Sequence, residues 1–274
     1  TATSGLGREI YINKADFYMV GGEVSGAIGG GATIYFGECV QAHDITKVQY
    51  RSIIAGGSIK NNAGLGIESF SSNLQILGGE IVDNKAYAIS TTGNGFVRVT
   101  GGLITRNEGG ISFDYGGGAR AVELGGSAKI YDNANTSGTP YNVVVHKSKR
   151  LTVCSKFNDD AKIGIRYIVD AGDLKATGYI TQNYEAFNGS VDPNKYFFSD
   201  ISAKLELKSF TPDATTENPT PAARKELYIS NTVIRPDFTV KETEIEYGTA
   251  YTYDILGGYV PGTMDYTVTG TLAS

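Results

Sequence analysis

A short pattern of apolar and polar positions recurs at fixed spacing in the first half of the chain. Each copy has two glycines, one residue, an isoleucine, two residues, an asparagine and, four or five residues later, a second isoleucine. Copies begin at Gly56, Gly78 and Gly101, so the pattern repeats every 22 or 23 residues. Repetition at this period with β-type alternation indicates a solenoid, whose repeats bury their apolar faces only by stacking on neighbours.

Three apolar columns and one asparagine column keep their phase from copy to copy. Because side chains two positions apart share one face of a strand, each apolar column marks a short strand, and each repeat should hold three strands. The columns are Ile59, Ile81, Ile104 and Ile130; Ile67, Ile89 and Ile111; Ile54, Ile76, Val99 and Leu124; and Asn62, Asn84, Asn107 and Asn133. The same alternation places further side chains inside, namely Leu65, Leu74, Tyr87 and Val97.

This arrangement predicts an all-β chain in which residues 1–170 form a right-handed parallel β-helix. Leucine-rich repeats share the period, but their Leu-x-x-Leu-x-Leu pattern is absent. The coils should run from near Ile10 to near Ile168 and stack about 4.8 Å apart. An earlier copy begins at Gly21 and the next Gly-Gly follows 35 residues later, so an irregular loop or a widened coil is expected within Gly29–Arg51.

The polar part of the repeat has two interpretations. Gly-Gly supplies turn conformations that are closed to residues with a Cβ atom. Asparagine tolerates left-handed backbone geometry at corners, and stacked copies can form a ladder of amide hydrogen bonds. A row of asparagines could instead bind a ligand. The ladder is the interpretation that we prefer, and it makes the repeat an architectural feature.

Two further modules are predicted after the repeat stops near Gly172. Residues 171–230 should form a small β module that caps the open end of the solenoid. Residues 231–274 alternate polar and apolar positions between turn signals, which is typical of an Ig-like or related β module. With about 44 residues, against about 100 for a full Ig sandwich, it is either reduced or truncated. The residues expected on two paired strands of the capping module are Leu205, Leu207, Leu227 and Ile229.

Composition and charge narrow the classes of partner. The chain has 274 residues and a formal net charge of −5, and its basic residues are scattered. Neither nucleic acid nor an anionic membrane surface is therefore an expected partner. No apolar run approaches the roughly 18 residues that span a bilayer, so no membrane insertion is expected in this segment. Cys39 and Cys154 have no CxxC companion, and both free thiols and a disulfide stay open.

The predicted outer faces carry no constellation that indicates catalysis. Lyases and hydrolases on parallel β-helices need clustered carboxylates, either around calcium or as an acidic pair about 5 to 9 Å apart. No acid stacks on another acid here, and Arg98 beside Glu123 should be a surface ion pair. The outward columns are Gln75, Arg98 and Glu123; Glu68, Ser90 and Ser112; and Lys60, Val82, Thr105 and Tyr131.

The remaining titratable residues do not change this view. His43 and His146 have no cysteine or acid at metal-ligand spacing. The pair Asp159 and Asp160 fits a solvated polar turn better than a calcium site. We therefore expect no catalytic residue, no metal and no cofactor.

Aromatic residues near two glycine-rich stretches are the best candidates for recognition. Tyr35 and Phe36 lie in the long first loop, and Asp114 and Tyr115 precede three glycines. Such rings can offer a flat platform to a sugar, and the carboxylate can bond its hydroxyl groups. Buried packing is the competing interpretation and the one that we prefer for each ring, since tyrosine is common throughout the chain.

Several phrases resemble the Gly-Gly-x-Ile-x-x-Asn repeats of large surface proteins of Gram-positive, often gut-dwelling, bacteria. They are GGEIVDNKA and GGLITRNEGGI, followed by Ile130–Asn133, Asn142-Val143 and Ala161–Gly164. The resemblance covers roughly residues 19–210. It implies a pectate-lyase-like β-helix within a secreted adhesin-type chain. This copy departs from that pattern in its long first loop and in having fewer glycines before the second strand.

The expected function follows from the resemblance and from the absence of stacked acids. It is a non-enzymatic extracellular module at a bacterial cell surface, an adhesin or stalk that presents a rigid face to a host or environmental glycan or protein. The runner-up is a carbohydrate-active domain of the polysaccharide lyase or glycoside hydrolase type. A purely structural spacer is the third possibility.

Overall fold

The structure, a computed structural model, describes residues 9–38, 51–113, 121–169, 177–214 and 220–230. The chain divides into two compact units, Thr1–Thr232 and Val233–Ser274. The second unit, and with it the predicted Ig-like module of residues 231–274, lies outside the described residues. All described strands belong to the first unit.

The described residues form twenty-one strands, one short α-helix and one 3₁₀ turn. The strands are β1 (Ile10–Ile12), β2 (Phe17–Ser25), β3 (Ala32–Phe36), β4 (Ser52–Lys60), β5 (Leu65–Ser69), β6 (Asn73–Ile76), β7 (Glu80–Val82), β8 (Tyr87–Thr91), β9 (Phe96–Val99), β10 (Leu103–Thr105), β11 (Gly109–Phe113), β12 (Ala121–Gly126), β13 (Lys129–Ile130), β14 (Val143–His146), β15 (Leu151–Phe157), β16 (Lys162–Ile168), β17 (Thr177–Tyr179), β18 (Thr181–Gln182), β19 (Phe197–Ser199), β20 (Lys204–Phe210) and β21 (Arg224–Ser230). The helix α1 covers Tyr184–Asn188 and the 3₁₀ turn covers Pro193–Lys195.

Eighteen strands form one parallel arrangement that coils into a β-helix with three faces. The first face stacks the second half of β4, then β7, β10, β13, the start of β16 and β19. The second face stacks β1, β3, β5, β8, β11, β14 and the end of β16. The third face stacks β2, β4, β6, β9, β12, β15 and β18. The predicted parallel β-helix with three strands per coil is therefore present.

The apolar columns form continuous files inside the coils. Ile59 pairs in register with Ile81, and Ile81 with Ile104. The file continues through Ile130 to Ile163, and none of the five is more than 1% exposed. Full burial of an isoleucine contributes about 1.5–3 kcal/mol, so stacking on the next coil is what stabilises each coil. The other two files are Ile34, Ile67, Ile89, Ile111, Val143 and Ile165, and Met19, Ile54, Ile76, Val99, Leu124 and Val153.

Two of the four further inward residues are fully buried and two are not. Leu74 and Val97 have no exposed surface, as predicted, whereas Leu65 and Tyr87 are half-buried. Both half-buried residues begin a strand next to a corner. The ring of Tyr87 contacts the position that a Cβ atom of Gly109 would take, so it packs on a glycine of the next coil rather than in the interior.

The glycine pairs act as predicted at the corner between the third and first faces. The second glycine of each pair has a positive φ, which is 83° at Gly57, 80° at Gly79 and 82° at Gly102. These angles are open to glycine but unfavourable for a residue with a Cβ atom. Each repeat therefore turns at a defined point.

Of the two expectations for Gly29–Arg51, an irregular loop or a widened coil, the described part agrees with a coil. Ala32–Phe36 forms a regular strand, β3, that pairs with β1 on one side and β5 on the other. Ile34 and Phe36 alternate inward and are fully buried, which is the pattern of an ordinary coil. The long spacing thus contains a complete coil, and residues 39–50 of the predicted loop lie outside the described residues.

The end of the solenoid is closed by the segment after β17. The strands β18 and β19 extend the parallel faces, while β17, β21 and β20 form a separate antiparallel sheet. In that sheet Leu205 pairs with Ile229 and Leu207 with Leu227, so the four residues predicted on two paired strands lie on neighbouring strands. Tyr184 of α1 is fully buried and lies 6.3 Å from the ring of the end-coil residue Phe197.

A buried carboxylate ties the closing sheet to the last coil. Glu226 has no exposed surface and accepts hydrogen bonds from the hydroxyl of Thr181 at 2.9 Å and from the backbone N–H groups of Asn183 and Tyr184 at 2.7 and 3.0 Å. Arg224 places Nε 2.7 Å from Oε1 of Glu226 as an ion pair that lacks the alignment of a hydrogen bond. These contacts fix the entry into α1.

Candidate functional site

A ladder of side-chain amides runs along the corner between the first and second faces. Each Nδ2 donates to Oδ1 of the next residue: Asn62 to Asn84 at 2.8 Å, Asn84 to Asn107 at 2.8 Å and Asn107 to Asn133 at 2.9 Å. Each Oδ1 also accepts the backbone N–H of the preceding asparagine, for example that of Asn84 at Asn107. All four are buried, so the predicted ladder is confirmed.

The left-handed backbone at this corner belongs to the residue before each asparagine. Its φ is 55° at Asn61, 58° at Asp83, 55° at Arg106 and 54° at Asp132. We expected the ladder asparagines themselves to adopt this geometry. Asn and Asp favour this conformation intrinsically, whereas Arg does not. The hydrogen bonds of the following ladder asparagine impose it, so the residue type can vary.

Small residues opposite the ladder provide the space for it. A Cβ atom at Gly66 would lie 3.3 Å from Nδ2 of Asn84, and one at Gly110 would lie 3.2 Å from Nδ2 of Asn133. Glycine at these positions therefore lets the amides reach each other. At Gly164 the fit is tighter, because a Cβ atom would contact Nδ2 of Asn142 and lie 2.6 Å from Oδ1 of Asp200.

The ladder ends in a carboxylate that is remote in sequence. Asn133 donates to Oδ1 of Asn142 at 3.0 Å, across a short insertion closed by a bridge between Ala134 and Pro140. Asn142 in turn donates to Asp200, from its side chain at 2.7 Å and from its backbone at 2.8 Å. The coil that contains β16 contributes no asparagine of its own to the ladder at this corner. The side chain of Asn142 occupies the corresponding position.

Burial raises the pKa of Asp200 above its ordinary value of 3.8. The two hydrogen bonds from Asn142 and the charge of Arg166 act in the opposite direction and only partly offset the loss of hydration. Asp200 is thus a half-buried carboxyl group held in one orientation.

A pocket of about 480 Å³ opens at this end of the ladder. It combines two carboxylates, two hydroxyl groups, two buried amides and two flat apolar groups. Its volume falls in the range of about 300–1,000 Å³ that is usual for small-molecule sites. The lining residues are Asp132, Asn133, Ala134, Pro140, Asn142, Phe198, Ser199, Asp200 and Ser202.

Tyr35 and Phe36, two of the four recognition candidates from the sequence, lie elsewhere. Phe36 is fully buried in the core, and Tyr35 is 7% exposed. The ring of Tyr35 stacks on Tyr11, with centroids 5.2 Å apart, and on Phe70, with centroids 6.3 Å apart. Neither ring is open to a sugar, because both belong to packed clusters. Asp114 and Tyr115 lie outside the described residues.

Charged residues on the outer faces are mostly paired between coils. Glu123 accepts from Nε of Arg98 at 2.6 Å, which confirms the predicted ion pair. Arg106 binds Asp83 with two hydrogen bonds of 2.8 and 2.7 Å. In the predicted outward column of the first face, Val82 and Thr105 are each only 3% exposed, so that face offers less polar surface than expected.

The polar turn near the last coils is also occupied by ion pairs. Asp159 pairs with Lys195 at 2.7 Å and Asp160 with Lys129 at 2.8 Å. These bonds lower the pKa of both carboxyl groups. Across the described ranges, no group of three or more His, Cys, Asp or Glu residues is arranged to hold a metal ion.

The remaining reactive side chains among the described residues, Cys154 and His146, are at least half-buried and lie next to polar groups. Cys154 is a free, half-buried thiol that donates to the carbonyl of Leu124 at 3.4 Å, and burial raises its pKa. His146 is 8% exposed, and its Nδ1 lies 2.8 Å from the hydroxyl of Ser148. Cys39 and His43 fall outside the described residues.

Comparison of the chain with protein-family models, with curated proteins and with solved structures finds no match. Within the described ranges, no helix has the length and apolar character needed to span a membrane.

Proposed function

We propose that this chain is a non-enzymatic extracellular module of a bacterial surface protein, an adhesin or stalk whose β-helix presents a rigid face to a host or environmental glycan or protein. The observation that carries the proposal is the unbroken stack of coils. Six strands of the second face, from β3 to β16, extend about 24 Å at about 4.8 Å per coil.

Two kinds of bond make this stack rigid. Backbone hydrogen bonds join the described coils, with register shifts only between β2 and β4 and between β12 and β15. The ladder from Asn62 to Asp200 adds side-chain bonds along the same axis. Buried hydrogen bonds of this kind are costly to break, because each unpaired group loses about 1–3 kcal/mol. A stalk needs such resistance to deformation along its length.

Pairing of the outer acids supports a role other than catalysis. A general acid needs a carboxyl group whose pKa is raised toward the working pH. Hydrogen bonds from Arg106 instead lower the pKa of Asp83. The same holds for Asp159 and Asp160 beside their lysines. These carboxylates are suited to joining coils.

A carbohydrate-active enzyme is the second candidate function, favoured by one observation. Asp132 and Asp200 line the same pocket, and burial raises the pKa of Asp200. Glycoside hydrolysis uses a general acid whose pKa is raised, together with a second carboxyl group nearby. Against this candidate, both oxygens of Asp200 already accept hydrogen bonds from Asn142.

Binding and turnover assays separate these functions. The purified chain is applied to a glycan array and to immobilised mucin, and it is incubated with a panel of polysaccharides while reducing ends and unsaturated products are followed. We expect retention on glycan or mucin and no turnover. Turnover that disappears in Asp200→Asn would establish the enzyme instead. A blank array, a blank mucin assay and no turnover would leave the structural spacer.

A further inference from the structure

We propose that the pocket at the end of the asparagine ladder is a glycan-binding site that takes one neutral sugar ring. This inference rests on the proposed function, because it names the site through which the module would hold its partner. Of its lining residues, only Asn133 was considered for ligand binding from the sequence, as a member of the asparagine row.

The polar groups of the pocket suit the hydroxyl groups of a sugar. A carboxylate only accepts hydrogen bonds, and each of its oxygens has about two acceptor positions. Each oxygen of Asp200 uses one of them for Asn142 and keeps another. The exposed carboxylate of Asp132 lies on the same pocket wall. Sugar hydroxyls that donate to these oxygens would form charge-assisted hydrogen bonds, which are stronger than neutral ones.

The apolar groups suit the face of the ring. Phe198 and Pro140 line the pocket and present flat surfaces. One side of a pyranose carries mainly C–H groups, which pack on such surfaces while the hydroxyl groups at the rim point to polar partners. This combination of flat apolar groups and carboxylates favours a hydroxylated ring over a purely apolar ligand.

The charge of the pocket selects against acidic sugars. Among the described residues its lining includes Asp132 and Asp200 and no Lys or Arg. Arg166, whose charge acts on Asp200 from outside the lining, is held by the carbonyl of Pro140 at 3.3 Å and over the ring of Tyr141. A uronate or a sialylated glycan would place a third negative charge beside the two carboxylates, and like charges at short distance repel. A neutral ring avoids this penalty.

The walls of the pocket are held in place before any ligand binds. The hydroxyl of Ser199 accepts the backbone N–H groups of Ile201 at 3.2 Å and Ala203 at 3.0 Å, which fixes the turn after Asp200. Asp200 is oriented by Asn142, and Asn142 is oriented by the ladder. A site that needs little ordering loses less affinity to conformational entropy.

The test is a glycan array that carries neutral and acidic glycans, probed with the wild-type chain and three variants. Asp132→Asn removes one charge from the pocket and keeps a residue that tolerates the left-handed backbone. Asp83→Asn makes the same change at the equivalent corner two coils away, outside the pocket. Ala134→Phe fills the pocket from its wall, and circular dichroism checks that each variant is folded.

We expect the wild-type chain and Asp83→Asn to bind neutral glycans equally. Asp132→Asn should bind them about tenfold more weakly, which is the effect of losing one charge-assisted bond to the ligand. Ala134→Phe should not bind. If the wild-type chain binds neutral glycans and both pocket variants bind as well as it does, the site lies elsewhere and only this inference fails. Retention of acidic glycans alone would also overturn it. No binding by the wild-type chain to any glycan or to mucin would overturn the proposed function as well.

Discussion

Asp200 accepts two hydrogen bonds from Asn142, one from the backbone N–H at 2.8 Å and one from the side-chain amide at 2.7 Å. All amides of the ladder donate in the same direction, from Asn62 toward this carboxylate. A row of amides that donate in one direction needs a final group that only accepts, and a carboxylate meets that requirement. Asp200 therefore terminates the ladder.

The first prediction concerns this terminal acceptor. Asp200→Asn replaces one oxygen by an NH₂ group, which would face a donor of Asn142 instead of accepting from it. A buried donor left without a partner costs about 1–3 kcal/mol, and we expect the free energy of unfolding in urea to fall by that amount. Asp213→Asn is the control, because Asp213 is exposed. Equal stability of both variants would show that the carboxylate does not terminate the ladder.

The second prediction is the pH dependence of the same group. The folded chain binds a proton at Asp200 more readily than the unfolded chain, because its pKa is raised above 3.8 by burial. The stability that Asp200 contributes is therefore fully present below that value and declines as the pH rises through the raised pKa. The difference in unfolding free energy between the wild-type chain and Asp200→Asn should shrink on going from acidic to neutral pH. A difference that grows with pH would mean that hydrogen bonding outweighs burial.

The third prediction tests the space beside the ladder. Gly164→Ala would place a methyl group 2.6 Å from Oδ1 of Asp200 and in contact with the amide of Asn142, so both must move. Overpacking of this kind costs about 1–3 kcal/mol. At Gly30 a Cβ atom would meet nothing within 4 Å, and Gly30→Ala should leave the urea midpoint nearly unchanged. Tolerance of alanine at Gly164 would show that the end of the ladder is loose.

The interior of the fold could be predicted from the sequence because it is periodic. Residues such as Ile59 and Ile81 occupy equivalent positions 22 residues apart, so the spacing predicts which residues of neighbouring coils pair. The same phase identified the four ladder asparagines and the ion pair of Arg98 with Glu123. The place of a residue in the fold can therefore be predicted wherever its position repeats.

The candidate site could not be predicted because most of its lining residues, including Asp200 and Phe198, do not repeat with the period. Asp200 lies 58 residues after Asn142, and only folding of the last coils brings them together. The stacking partner of Tyr35 could not be predicted for a related reason, since Tyr11 lies in a coil that lacks the glycine phrase. The alternation of apolar and polar positions places Val82 on the outer face, yet its side chain is buried. Alternation shows which face a residue occupies but not whether that face is exposed.

The last prediction concerns the middle of the ladder, on which the proposed rigidity depends. Asn107 accepts from Nδ2 and N of Asn84 and donates to Oδ1 of Asn133 and to the carbonyl of Ile81 at 2.9 Å. Asn107→Ala leaves the buried backbone N–H of Asn84 without its acceptor and removes the three other bonds, so the loss should exceed that of Asp200→Asn and reach about 3–5 kcal/mol.

The matched control for this variant is Asn158→Ala. Asn158 is exposed and gives one side-chain hydrogen bond, to Ser127 at 2.8 Å, so its removal should change the free energy of unfolding by less than about 0.5 kcal/mol. Hydrogen exchange supplies the second measurement. If the ladder locks successive coils together, amides of the strands above and below Asn107 should exchange faster in Asn107→Ala, because breaking one step loosens both neighbouring coils. A stability loss with unchanged exchange in those strands would show that the apolar files alone hold the coils together. The ladder would then not contribute to the rigidity of a stalk.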